Sequence, residues 1–368
     1  MDPYNQIDQR KKDAFARSVR RQMTALKQEF NEGLLSETDY HRRLFELRMS
    51  AFVHYEDRDH WRADDDLRNA RFHAEVVHKL ESDTSCLDRY WPPAAAHCYF
   101  TLQREEAVDG YRELFRRSAA RLRQDQQDPH ALREQQALCV RFGHALLLGE
   151  QPVEALAMYR QAVRSGRALH LIRQDAESAR TLAESLALEL SWSRKLAVEE
   201  GVDELLRQRE ALCERWELSR DLYPHVFEQS VLQPFYERKE AVREPADLAT
   251  QMMHGICYLN VAAYLAGWIP LSRRVQDNVV AELLWFLQQL NQYDEQFDEE
   301  SFLSFYQTVE KLLFLLVTVP DAELFYAYSI LLRYCKGLRQ RDLPDKQEQE
   351  LLLDLQQRID GSPTVLPS

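Results

Sequence analysis

Two clusters in this sequence carry the residue types that hold metal ions. The first runs through His54, Glu56, Asp57, Asp59, His60 and Asp64 to Asp66, with His73 and His78 downstream. Imidazole and carboxylate are both metal ligands. Their spacing points elsewhere, because His54 and His60 are six residues apart and His73 and His78 five. Two ligands on one helix face want a spacing of four. A solvated turn followed by a helix cap is the expectation there. The second cluster, Asp294 to Glu300, lacks the mid-loop glycine of a calcium hand. Acidic residues ahead of the apolar run at Phe302 suit the positive end of a helix dipole instead. The sequence contains no P-loop, GxGxxG, GxSxG or HExxH pattern. Cys139 and His144 lie five apart on one expected helix, and no Ser/His/Asp set stands out. These residues imply no metal and no cofactor.

A third arrangement is Arg68-Asn69-Ala70-Arg71-Phe72-His73. It resembles the Arg, polar residue, three others, His motif of the all-helical HEPN ribonucleases. That resemblance implies that Arg68 positions a phosphate and His73 moves a proton on RNA. The chain holds 38 Arg and 11 His in 368 residues, so about one Arg-x4-His pair arises by chance. Net charge is −13, a poor match to a polyanion. The competing expectation for both residues is a charged, solvent-facing helix surface, and nucleic acid is not an expected partner.

The elements that must position such residues are helices. The 368 residues include only 10 Gly and 13 Pro, against about 26 and 18 at average usage. Turn-rich β folds and glycine-loop nucleotide binders spend glycine freely, so the count argues against both. Hydrophobic residues are 45% of the chain, ample for a core. Six cysteines, at 86, 98, 139, 213, 257 and 335, form no CxxC pair. They read as buried free thiols of a cytoplasmic protein. Met1 to Asp13 holds no apolar run, so no secretory leader is expected. Gly255 to Leu271 is apolar over about 17 residues and broken by Gly-Trp-Ile-Pro, which suits a core helix and not a membrane span.

Apolar residues recur at helical spacing nearly throughout. Phe15, Val19, Met23, Leu26 and Phe30 form one stripe, closed by Gly33. Ser36 is a natural N-cap, and Tyr40, Leu44, Leu47 and Ala51 form the next stripe. Residues 12–51 are therefore expected to fold back as an antiparallel hairpin. The pattern Gly33-Leu34-Leu35-Ser36-Glu37 with Asp39-Tyr40 and Leu44 resembles the SHOCT hairpin of unrelated bacterial proteins. The resemblance covers 26–48 and implies an interaction or oligomerisation element. Ser82 to Ser85 and Trp91-Pro92-Pro93 are expected breaks, and Pro129 and Pro152 expected helix starts.

Internal repetition is the strongest organising signal. In 136–169, Gly143 is followed twelve residues later by Glu154-Ala155, then by Tyr159 and Ala162. This register resembles the tetratricopeptide repeat, in which small residues let two antiparallel helices approach. A weaker copy over 88–121 has Ala95, Glu106-Ala107, Tyr111 and Leu114 at the same offsets, 48 residues upstream. Residues 170–222 lack the signature. The resemblance implies packing roles for Gly143, Ala155, Tyr159 and Ala162, and places Arg141, His144 and Ala145 along a partner-binding groove. Gly143 is expected to be the one packing glycine inside a helix, with Gly33, Gly149, Gly166, Gly201, Gly267 and Gly337 at helix ends.

The expected fold is thus all-α: an irregular tetratricopeptide-like array, an α-solenoid of about a dozen helices, with an N-terminal hairpin. The expected segments are 1–60 for the hairpin, 61–240 for the repeat region and 241–360 for a hydrophobic, aromatic C-terminal region. The expected function is non-catalytic binding of a protein or peptide, as adaptor, regulator or chaperone, with homo-oligomerisation open. Two alternatives stand beside it: a helical ribonuclease using Arg68 and His73, and a structural subunit of a larger assembly.

Overall fold

The computed structural model describes residues 3–198, 201–218, 226–243, 246–269, 271–279, 281–282 and 285, with side chains from Ala14 onward. The aromatic segment beyond 285, the acidic run 294–300, Gly337 and Cys335 lie outside the described residues. Compactness divides the chain into two units: 1–222 with 238–253, and 223–237 with 254–368.

The first unit is a succession of helices, each packed on the next. It begins with α1 (Pro3–Asn31), α2 (Glu37–Tyr55) and α3 (His60–Glu81). Gly33 turns the chain at φ +73°, and Leu34 N–H donates to Glu29 O, a bond that closes the end of α1. Ser36 then caps α2, its Oγ accepting from Asp39 N–H at 3.0 Å. The charged stretch after α2 shrinks to a four-residue turn, and Asp59 caps α3 by accepting from Arg62 N–H. On α3 the residues Ala63, Leu67, Ala70, Ala74 and Val77 alternate steps of four and three and are all buried. Three alanines in that stripe let α2 approach closely, so Phe45 and Phe52 are fully buried against it.

Three helical pairs follow: α4 (Ser85–Phe100) with α5 (Arg104–Gln124), α6 (Pro129–Leu148) with α7 (Pro152–Arg173), and α8 (Ala176–Lys195) with α9 (Val202–Arg215). One turn geometry recurs in all three. Leu102, Glu150 and Ala197 take φ of +55°, +60° and +53°. In each case the following amide reaches back to the helix: Gln103 to Cys98 O, Gln151 to Leu146 O and Val198 to Ser193 O. Those bonds satisfy carbonyls that a helix end otherwise orphans. The third copy of the turn falls where the side-chain signature is missing, so backbone repetition extends beyond sequence repetition.

Two expectations about breakers change. Pro92 and Pro93 lie inside α4 and do not end it. They remove the bonds to the carbonyls of Asp88 and Arg89, which belong to solvent-exposed residues. The buried face carrying Leu87, Tyr90, Ala94 and Ala95 holds the helix together. Gly166 is likewise interior, on α7, and is no helix end. A Cβ there would meet the Gln136 amide at 2.6 Å, and one at Gly110 on α5 would meet Ala95 Cβ at 2.8 Å. Gly143 is therefore one of several packing glycines.

The second unit includes a single π-helical turn, Glu228–Leu232, which runs into α10 (Gln233–Val242). The apolar stretch belongs to α11 (Leu248–Ala266), of which the second unit holds the part from His254 onward, and its Cys257 to Val261 portion is almost wholly buried. No helix among the described residues is long and apolar enough to cross a membrane.

Candidate interaction surface

The repeat residues turn inward. Gly143, Ala155, Tyr159 and Ala162 are all buried, with the Tyr159 ring lying where a Cβ on Gly143 would be. His144 Nδ1 and Tyr159 OH share a hydrogen bond of 2.8 Å. Burial, then the Arg141 charge, push the His144 imidazole down to about 3, so it is neutral at physiological pH. Of the three groove residues the sequence proposed, Arg141 is exposed, but His144 and Ala145 are buried. The run Phe142 to Leu148 is buried without interruption, as is Ser185 to Leu190 on α8. A helix buried on every side presents no open groove at those levels, and His144 and Ala145 are corrected to packing positions.

Arg68 and His73 do not converge. Five residues on a helix are about 140° apart around its axis. Arg68 stands in solvent, its side chain 77% exposed and 3.6 Å from Asp64. His73 faces α2, where its Nδ1 lies 2.8 Å from His41 Nδ1, so one ring donates a hydrogen and the other accepts it. Burial, then His41, then Arg48 push His73 down to about 4. The expectation that His73 faces solvent is corrected, and a proton-transfer pair with Arg68 is not formed within this chain.

The metal-type cluster is also dispersed. Asp59 caps α3, and Asp66 is paired with Arg48. Asp64 accepts from His97 Nε2 at 2.8 Å and from the Gln103 amide at 3.0 Å. Burial alone would raise the Asp64 carboxyl, but those bonds outweigh it and hold it below its ordinary value. The His60 ring lies against Thr250 Oγ1 at 3.3 Å. No group of three potential ligands converges among the described residues. The five described cysteines are free and buried, and burial pushes Cys98, Cys139 and Cys257 up to about 12, which leaves them unreactive thiols.

What remains is a surface that the chemistry-bearing motif concealed. The outer face of α3 carries Trp61, 69% exposed, and Phe72, 56% exposed, with Arg68 between them. Eleven residues separate the two rings, about 16 Å of helix. Phe72 is the end of an aromatic line across the N-terminal helices. Phe30 stacks on Tyr40 with centroids 4.6 Å apart, Tyr40 meets His41 at 5.4 Å, and His41 meets Phe72 at 6.0 Å. Ordinary proteins leave single apolar side chains on the surface without consequence. Here two large rings share one face of a helix whose opposite face is an uninterrupted alanine-rich packing stripe. The sequence carries the signal, since Trp61 and Phe72 fall off the 63-67-70-74-77 stripe.

No protein-family model matches this chain. No curated protein and no solved structure matches it either.

Proposed function

We propose that this chain is a non-catalytic, protein-binding helical-repeat protein of the tetratricopeptide kind, an adaptor, regulator or chaperone of a reducing cytoplasm. Three stacked helical pairs joined by the same turn support the repeat reading, and the five buried free thiols suit that compartment. The observation that carries the binding reading is the outer face of α3, with Trp61, Arg68 and Phe72 bared along one line. Aromatic residues and arginine are the side chains that most often dominate binding energy at protein interfaces. The partner that fits is a helix or extended peptide with two apolar side chains about 16 Å apart and a carboxylate between them for Arg68. The SHOCT-like hairpin adds the Phe30–Tyr40–His41 line to the same surface.

The test is affinity capture with the full chain and with a Trp61→Ala/Phe72→Ala variant, partners being identified by mass spectrometry. Both side chains are more than half exposed, so the variant is expected to keep the wild-type circular dichroism and a melting temperature close to wild type. Loss of a specific partner from the variant supports the proposal. An identical set of partners with both proteins refutes this face, and loss restricted to an Arg141→Glu variant moves the site to the repeat.

A further inference from the structure

The second unit contains a cleft of about 220 Å³. That is far above the ~10–15 Å³ that admits a water and below the ~300–1,000 Å³ of pockets for drug-sized ligands. Its volume suits a small metabolite. The π-helical turn Glu228–Leu232 forms one wall, and π-turns frequently mark functional sites. Gln229, Gln233 and Tyr236 continue that wall at steps of four and three, one helical face. The Tyr236 ring meets buried Tyr258 edge-on at 5.6 Å. The rest of the lining includes Ser272, Arg274, Val275 and Asn278.

Two charged side chains of opposite sign line this one space. Glu228 is 7% exposed and accepts a hydrogen bond from the Ser272 backbone N–H. That bond fixes the carboxylate in the wall. Arg273 is paired with Asp277 at 3.0 Å, whereas its neighbour Arg274, which lines the cleft, has no ion-pair partner among the described residues. A ligand with a single charge would meet a like charge in the same small volume. A neutral ligand would use neither charge. We propose that the cleft binds a small zwitterion of amino-acid size. Its carboxylate pairs with Arg274. Its ammonium lies by Glu228 and the tyrosine rings, where charge and ring quadrupole both favour a cation. The Gln229 and Asn278 amides line the same space and can donate or accept as the ligand requires, whereas the Gln233 amide already donates to Glu237 at 3.0 Å.

The experiment is calorimetric titration of the full chain with each of the twenty free amino acids, with acetate and methylammonium as the two half-ligands. The proposal expects at least one amino acid to bind, each half-ligand to bind at least tenfold more weakly, and Arg274→Ala and Glu228→Gln each to weaken the amino acid at least tenfold. Glu228→Gln keeps an oxygen for the Ser272 amide. Arg274 is exposed and has no ion-pair partner among the described residues, so Arg274→Ala tests the site without a folding cost. The proposal is overturned if no amino acid binds, if either variant binds as the wild type does, or if acetate alone binds as tightly as the amino acid, which would make the cleft a plain anion site.

Discussion

Replacing Gly143 by alanine sets two effects of opposite sign against each other. Gly143 lies inside α6, where alanine is about 1 kcal/mol better than glycine by helix propensity. The added Cβ would lie 2.5 Å from Tyr159 Cε1 and 2.9 Å from Cδ1 and Cζ. Three atoms of one rigid ring are met at once, and Tyr159 is fully buried, so rotation of the ring has nowhere to go. Overpacking of this kind costs about 1–3 kcal/mol. If the ring moves, its hydroxyl leaves His144 Nδ1, a buried group whose lost hydrogen bond costs about 1–3 kcal/mol more. The net, with the ring displaced, is a destabilisation of about 1–5 kcal/mol, read as a lower guanidinium midpoint at unchanged slope. Combining Gly143→Ala with Tyr159→Leu makes room for the methyl, so the double variant should lose less than the sum of the singles. A Gly143→Ala protein as stable as wild type, or strict additivity in the cycle, would refute the contact as the reason for the glycine.

Acid should weaken the first unit. His73 titrates near 4 in the folded chain and near 6.5 unfolded, so its contribution is full above pH 6.5 and lost as pH falls toward 4, by up to about 3 kcal/mol. A His73→Gln variant melted at pH 7 and pH 4.5 should show a smaller difference than wild type, and equal differences would count against the buried pair. Ala145→Glu places a carboxylate in a fully covered site and should cost several kcal/mol, while Arg141→Glu at an exposed position should leave the melting temperature within a degree or two. An Ala145→Glu protein with wild-type melting would mean that α6 lines an open groove after all.

Much of the architecture is legible because its signals are local. Ser36 with Asp39, Asp128 before Pro129, and Gly33 each act within one helical turn, and each sits at the expected helix end. What is not legible depends on what lies across the gap between helices. Gly166 reads as a helix end in one dimension, yet it is kept small by the Gln136 amide that donates to Ser185 Oγ on another helix. Pro92-Pro93 reads as a break, yet tertiary packing of Tyr90 and Ala94 overrides the two lost bonds. The third helical pair is invisible in side chains because its turn is built from Ala197, a residue that no pattern marks as left-handed. Leu102, Glu150 and Ala197 share a backbone geometry and no chemistry, so only the hydrogen bonds reveal that they are equivalent.

The same reasoning explains why His73 and His144 were plausible sites in the sequence and are packed interiors in the fold. A histidine among charged neighbours reads as exposed, since histidine is more often half-exposed than buried. Both rings here are held neutral by burial and answered by one partner each, His41 and the Tyr159 hydroxyl. A neutral imidazole with one satisfied nitrogen is an adequate core residue, and its presence on an apolar face is then a packing fact. Arg68 carries the opposite lesson. Its guanidinium stays in solvent on the same helix that buries His73, because 140° of helical rotation separates them. The motif therefore does not divide into an active pair; it divides into one residue of the core and one residue of the α3 surface. That division leaves Trp61, Arg68 and Phe72, bystanders in the motif, together on the exposed face on which the proposed binding rests.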